Sequence, residues 1–281
     1  MQEELVLKDS EFHRLSRYVY ETAGIHLHRG KKELVKARLS KILRQRDFQS
    51  FGQYYEHVIN DSTGQELTIL LDSISTNLTY FFREPDHFKL LTGKVLPDAM
   101  ERKTASRDMV LRFWSAGCSS GEEAYSIAIA VHEALLKVPD WQVKILASDL
   151  STEVLAKADA GIYDEKRLGG VPYELRRRYF QKGNNNWAGY FKVKKEIRQM
   201  ITFVRLNFME DFPFVEPFDL IFCRNVMIYF DNPVKERLVG KFFRYLARGG
   251  YLFIGHAESL TGIKHGFRYI QPSVYQKLEK Q

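Results

Sequence analysis

Residues Phe113–Ile129 read FWSAGCSSGEEAYSIAI, and no other stretch constrains the fold as tightly. An apolar run, Met109–Trp114, leads into it and reads as a buried strand. Gly117 and Gly121 then mark a tight turn. Beyond the turn, over Glu122–Leu136, Ala124, Ile127, Ala128, Val131 and Leu135 recur at helical spacing. Strand, small-residue turn and helix make the ligand-binding corner of an α/β sheet. Small residues let the backbone approach a ligand, and the helix N-terminus offers free N–H groups. The spacing is not the dinucleotide G-x-G-x-x-G, and Glu122 and Glu123 follow the second glycine at once. Those carboxylates suit the helix dipole but would repel a pyrophosphate. The corner therefore favours a ligand with a cationic group. S-adenosylmethionine, with an ammonium and a sulfonium, fits. An ordinary strand–helix turn with acidic first-turn residues is the competing reading.

The rest of the second half alternates. Strands are expected at Val143–Ser148, Ile201–Arg205, Phe218–Cys223 and Tyr251–Ile254, the last entered by a turn at Gly249–Gly250. Helices are expected at Thr152–Asp159 and from Asn232 to Ala247, and a hairpin at Phe267–Ile270 and Val274–Leu278. This order predicts a mostly parallel sheet with right-handed crossovers, its ligand beyond the carboxyl ends of the strands. Polar groups stand at four of those ends: the Gly117 turn with its serines, Asp149, Asn207, and Arg224–Asn225. A carboxylate at Asp149 can accept both ribose hydroxyls of an adenosine. It lies 32 residues after Gly117, against about 20 in compact dinucleotide sites; a long helix and the Pro139–Asp140–Trp141 connector account for the difference. Asn207 is placed to contact the adenine. Tyr173–Lys195 breaks the alternation. Gly183, Asn184–Asn186 and Gly189 read there as turns between short strands of a small β insertion, whose exposed edge can accept a peptide strand.

Residues from about 8 to 80 read as helical, with Asp9 or Ser10 as the first cap. Between Arg29 and Arg46 there are eight Lys/Arg and one acid, Glu33. Val35, Leu39, Ile42 and Leu43 form the apolar stripe of that helix. Ala37, Lys41 and Arg44 lie opposite, with Lys36 and Arg38 on the flanks. Most such runs are solvated faces, but nearly one sign over five turns repels itself and points to binding. The net charge of +7 favours an acidic partner. Ser75–Glu84, STNLTYFFRE, breaks the helical pattern and reads as a loop pinned by its aromatics. Pro85 opens a fresh helix. Cys118 and Cys223 give no disulfide framework, so a cytoplasmic setting is the default. No metal cluster is visible, and His256 and His265 stand isolated. No signal or membrane-span pattern occurs. No Pro-Pro occurs, so the tetrapeptide of many nucleic-acid amino-methyltransferases is missing; the equivalent strand end reads RNVMIY, which counts against nucleic acid as substrate.

STNLTYFFRE, AGCSSGEEAYSIAI, ASDLSTEVLAKADAGIY and FCRNVMIYF resemble, in order and spacing, the signature segments of CheR-type chemoreceptor glutamate methyltransferases, over residues 8 to 278. The resemblance implies an α/β class: a mostly parallel, Rossmann-like S-adenosylmethionine-methyltransferase sheet with an all-helical N-terminal domain and an inserted antiparallel β subdomain. On this chain these fall at 1–80 (helical), 81–105 (linker) and 106–281 (methyltransferase), the insertion at about 173–198. It implies transfer of a methyl group from S-adenosylmethionine to receptor glutamate carboxylates, with S-adenosylhomocysteine as product. Carried over by position, cofactor contacts fall on Asn77, Thr79, Arg83, Glu122, Asp149, Asn207, Phe208, Arg224 and Asn225, with Glu122 meeting the methionine ammonium and Asp149 the ribose. Arg83 and Tyr229 match residues near the transferred methyl. Lys36, Arg38, Lys41 and Arg44 would dock the receptor's methylation helix. A receptor C-terminal pentapeptide is gripped by the β subdomain in some members; Asn184–Ala188 match no such function. A monomer is the default. A methyltransferase for another acidic or nucleic-acid partner, or a non-catalytic cofactor sensor, are the other readings.

Overall fold

The computed structural model describes residues 5–75, 77–138 and 140–278. Thr76 of the aromatic loop and Pro139 of the connector lie outside the described residues.

Four helices come first: α1 (Asp9–Ala23), α2 (Lys32–Gln45), α3 (Phe51–Ile59) and α4 (Gln65–Ile74). Each is apolar on one stripe, and the stripes meet. Phe12, Leu15 and Val19 pack with Val35, Leu39 and Leu43, Tyr54 and Val58, and Leu70, Leu71 and Ile74 in one core. Neither Asp9 nor Ser10 caps α1: Lys8 is the N-cap, its own N–H donating to Glu11 Oε2 at 2.9 Å. Next come α5 (Pro85–Leu90), a π-helical turn (Leu91–Val95) and α6 (Leu96–Ser106), one after another without a break. A linker is expected over 81–105, yet Phe88, Leu91, Val95, Leu96 and Ala99 are buried in the core of the sheet that follows. The connection is a packed helix, because its apolar residues recur at helical spacing and leave no reason to stay in water.

The sheet elements are β1 (Val110–Ala116), α7 (Glu122–Leu135), β2 (Gln142–Asp149), α8 (Thr152–Ala160), β3 (Ile162–Asp164), α9 (Tyr173–Tyr179), β4 (Phe180–Lys182), β5 (Tyr190–Val193), α10 (Lys195–Arg198), β6 (Ile201–Arg205), β7 (Phe218–Cys223), α11 (Asn232–Tyr245), β8 (Leu246–Ile254), β9 (Phe267–Gln271) and β10 (Val274–Lys277). Seven strands form one sheet in the order β6-β2-β1-β7-β8-β10-β9. The first five are parallel, and β10 runs antiparallel to both its neighbours. β7 is buried at all six positions, as a parallel strand covered on both faces must be. The expected turn at Gly249–Gly250 lies inside β8 instead, where the register against β7 shifts between Phe218 and Leu220. The glycines there serve an irregular pairing rather than a strand start.

β3, β5 and β4 form a separate antiparallel sheet. The inserted unit therefore reaches back to Ile162, ahead of the expected 173; three residues are too few to show a strand's period-two pattern. Along the main sheet the chain moves outward from β1 through β2 to β6, then returns to β7 and β8 on the other side. The switch point lies between β1 and β7, and open α/β sheets bind ligands there.

Candidate active site

At the carboxyl end of β1, Gly117 has φ +84, and a Cβ on it would meet Val226 Cγ2 at 2.4 Å. Any other residue there is strained, and Val226 would have to shift. Gly117 and Cys118 donate their N–H groups to the Ser148 carbonyl at 2.8 and 2.9 Å, which ties this turn to the end of β2. Asp149 sits on that end. Its two oxygens accept one backbone N–H each, from Ser119 at 2.8 Å and Ser151 at 3.0 Å. Each oxygen keeps further acceptor capacity. Burial pushes the Asp149 pKa up, and those N–H groups pull against the rise.

The two carboxylates after Gly121 part company. Glu122, the residue expected at the ammonium, is fully buried and held by Arg167 and by the Ser120 hydroxyl at 2.7 Å; it is not among the residues lining the crevice. Glu123 is. Neighbours on a helix point about 100° apart, so only one of the pair can face the cleft. Glu123 accepts from the Ser115 hydroxyl at 2.6 Å and from Arg224 Nε at 2.7 Å.

Arg224 is a hub. Its guanidinium is buried, reaches the Arg83 carbonyl at 2.6 Å and lies 3.5 Å from Glu84 Oε2. Although it lines the crevice, its donors are largely engaged by the protein, which makes it a positioning group. The loop it holds is pinned elsewhere too. Ser119 Oγ donates to the Asn77 carbonyl at 3.0 Å, Phe82 N–H to Ser126 Oγ at 2.9 Å, and Arg38 to the carbonyls of Ile74 and Ser75 at 2.6 and 2.9 Å. Phe82 and Glu84 both have positive φ, 55° and 56°, a conformation that side chains resist unless the surroundings impose it. Phe81 alone of the loop aromatics is fully buried, edge-on to Tyr163 and Phe180. Leu78 and Tyr80 stand out in solvent. Arg83, between the two strained residues, donates to the Leu78 carbonyl at 3.1 Å and lies beside the Tyr80 ring.

Asn77, Thr79, Arg83, Asp149, Asn207, Phe208, Arg224, Asn225 and Tyr229 all line this crevice, together with Glu123, with Ala23 at the end of α1 and with Ile25 just past it. The Asn207 amide is engaged: it donates to the Thr22 carbonyl at 2.7 Å, and its oxygen accepts from Met209 N–H at 3.0 Å. It stitches the helical unit to the sheet rather than pointing freely at a base. Glu258, which sequence reasoning missed, organises the opposite wall. Its carboxylate accepts the N–H groups of Gly255 at 2.6 Å, Asn225 at 2.8 Å and Ile228 at 3.2 Å. It thereby holds Asn225 at φ 60 and orients the turn that carries Tyr229. A lone Glu after a strand leaves no sequence signal for that work.

Asn225 Oδ1 is buried without a hydrogen-bond partner among the described residues. An acceptor left so in a cleft otherwise lined by Glu123 and Asp149 suits a ligand that brings cationic N–H donors and hydroxyls. Glu84, His87 and His256 also converge, their ligand atoms within 4.8 Å of one another, so His256 is not isolated. Arg224 lies 3.3 Å from His87 Nδ1, and its fixed cation opposes a divalent ion at the same point. Burial and Arg224 depress the His87 pKa to about 3. On α2, Lys41 and Arg44 are exposed and Lys36 is half-buried, whereas Arg38 caps the end of α4 as described.

Two family sequence models cover nearly the whole chain. "CheR methyltransferase, all-alpha domain" matches residues 10–75 and "CheR methyltransferase, SAM binding domain" matches 77–276. The chain is 43% identical to a chemotaxis protein methyltransferase of Borreliella burgdorferi over 97% of its own length and 95% of the relative's. It is 37% identical to the chemotaxis protein methyltransferase of Escherichia coli over 98% and 93%, and 40% identical to chemotaxis protein methyltransferase 2 of Pseudomonas aeruginosa over 94% and 92%.

Proposed function

The chain belongs to the CheR methyltransferase family, a chemotaxis methyltransferase that acts on chemoreceptors with S-adenosylmethionine, and we propose that the groups accepting the methyl are glutamate side chains brought to the mouth of the crevice. The supporting observation is the crevice itself: the carboxylates of Glu123 and Asp149 at the switch point of the sheet and an Asn225 oxygen without a hydrogen-bond partner among the described residues.

In this reading Asp149 holds the ribose and Glu123, with Asn225, the methionine ammonium; Asn77, Thr79 and Phe208 wall the cofactor. Bound S-adenosylmethionine supplies an electrophilic methyl. A glutamate, with an ordinary pKa near ~4.3, reaches neutral pH already ionised and needs no base. The protein's task is then alignment and exclusion of water. Arg83 orients the carboxylate through one angled contact, since a bidentate pair would occupy the attacking lone pairs. Tyr229 constrains the reacting centre from the other side. The helical unit, to about residue 80, docks the receptor through Lys36, Lys41 and Arg44, while Arg38 holds the loop. The acting unit is a cytoplasmic monomer. A receptor C-terminal pentapeptide would add to the edge of the small sheet, near exposed Trp187 and Tyr190. Among the described residues no helix is long and apolar enough to cross a membrane.

The test uses radiolabelled S-adenosylmethionine and membranes carrying chemoreceptors. Label in the receptor band, released as methanol in mild alkali, is a carboxyl ester and supports the reading. Alkali-stable label refutes it. Arg83→Ala should lower turnover at saturating receptor far more than Lys41→Ala does.

A further inference from the structure

On the far side of Tyr229 a second hollow opens beside the crevice. The two share Ile25, Ser75, Tyr229 and Phe230 as a common wall. The floor of the second is apolar, with Leu27 and Val35 buried and Ile228 exposed at its rim. Leu34, Ile74 and three nitrogen-bearing side chains, His26, His28 and Lys31, complete the lining. Among the described residues none of the three pairs with a carboxylate. Lys31 Nζ lies 5.8 Å from the centre of the Tyr229 ring, so the basic rim begins at the residue that closes the crevice. The segment is anchored: His26 N–H donates to the Tyr229 carbonyl at 2.9 Å, and Ile25 bridges to Phe230.

We propose that this hollow is an anion subsite for a second carboxylate on the acceptor segment, one that flanks the glutamate receiving the methyl group. The inference rests on the receptor reading above. On a helical segment a side chain three or four residues from the acceptor lies about 5–6 Å away, a separation on the scale of the one tyrosine ring dividing the two hollows. A flanking glutamate would lay its methylenes on Leu34 and Ile228, the exposed apolar residues of the lining, and reach the basic rim with its carboxylate. Glutamine has the same size without the charge, so the subsite distinguishes the two at the flanking position.

The experiment uses the purified enzyme, labelled S-adenosylmethionine, and receptor-bearing membranes in which each acidic residue within one turn of an acceptor glutamate is changed singly to Gln. At one flanking position the change should raise the wild-type KM for receptor about three- to fivefold and leave kcat in place. Lys31→Ala should raise KM by a similar factor and lose its response to that change. Lys31→Glu should recover on a receptor with Lys at that position. Calorimetric affinity for S-adenosylhomocysteine should be the same in wild type and Lys31→Ala, which shows an intact fold. Equal sensitivity of wild type and Lys31→Ala to the flanking change, or no sensitive position at all, overturns the subsite and leaves receptor methylation standing. No label from the wild-type enzyme on any receptor overturns the receptor reading and the subsite with it.

Discussion

In the crevice Glu123 and Arg224 are buried and bonded to each other, and Asp149 accepts two backbone N–H groups. On the outer face of α2, Lys41 and Arg44 stand in water and pair with no carboxylate among the described residues. The first set is held by the fold before any ligand arrives, so its directions are part of the structure. The second is held by flexible stems, and its effect is a field rather than a geometry. Buried charges should therefore act on stability and cofactor affinity, exposed ones on receptor capture and its response to salt.

The largest test of this contrast is Arg224→Ala. It leaves Glu123 buried without its cation and frees the Arg83 carbonyl. Removing one partner of a buried pair costs about 3–5 kcal/mol, so urea melts should shift strongly. If stability changes by less than the effect of Lys41→Ala, the buried network does not have the role given to it.

Asp149→Asn separates affinity from stability. Hydrogen bonds to a charged group contribute about 1.5–3 kcal/mol, so cofactor affinity should fall about ten- to a hundredfold at neutral pH. Burial raises the pKa of Asp149 above that of an ordinary Asp. Its ionisation therefore works against the fold above the raised pKa, and that cost vanishes as pH falls through it. The Asn variant escapes that ionisation cost but turns an NH2 donor toward one of the two backbone N–H groups of Ser119 and Ser151, so its stability should lack the wild type's loss as pH rises through the raised pKa. Cofactor affinity of the wild type should weaken on acidification, as the carboxylate becomes a neutral acid, and the variant should show none of that contribution. Calorimetry across pH separates the two. Parallel profiles would place the pH dependence elsewhere.

Gly117→Ala probes the backbone beneath these charges. The left-handed φ and the 2.4 Å approach to Val226 Cγ2 together cost about 1–3 kcal/mol. Because the strain falls on the turn that donates Ser119 N–H to Asp149, cofactor affinity should drop with stability. A variant as stable as wild type would mean that Val226 yields easily.

What could be read beforehand follows the same divide. Gly117 and Asp149 were legible because strand ends are fixed by local pattern, and a parallel sheet brings its strand ends together. The partition between Glu122 and Glu123 was not, since it depends on the rotation of α7 about its axis, which packing sets. Arg224 stood out as a strand-end residue, but its bond to the Arg83 carbonyl joins positions 141 residues apart. Glu258 binds three backbone N–H groups, and those leave no trace in the identities of the residues that supply them. Of the four basic residues assigned to docking, Arg38 donates to the end of α4, and that bond was not legible for a related reason: a flank position on one helix is indistinguishable from a cap on another until α2 and α4 are packed together.

The smallest effect belongs to that outer face. Lys41→Ala and Arg44→Ala should each weaken receptor capture about two- to threefold at low salt, within the range of exposed pairs. Cofactor affinity and melting should not move. The informative quantity is the salt dependence. Raising ionic strength to physiological levels shortens the screening distance to about 8 Å, so wild-type KM for receptor should rise with salt. The double variant should rise less steeply, and the two curves should converge when screening is strong. Arg38→Ala should behave differently despite lying on the same helix, because it donates to the carbonyls of Ile74 and Ser75. Its loss should loosen the Asn77–Glu84 loop and lower kcat at every salt concentration. If Arg38→Ala instead follows the salt curve of Lys41→Ala, its role is docking after all, and the line between held and unheld charge runs through α2 at a different place.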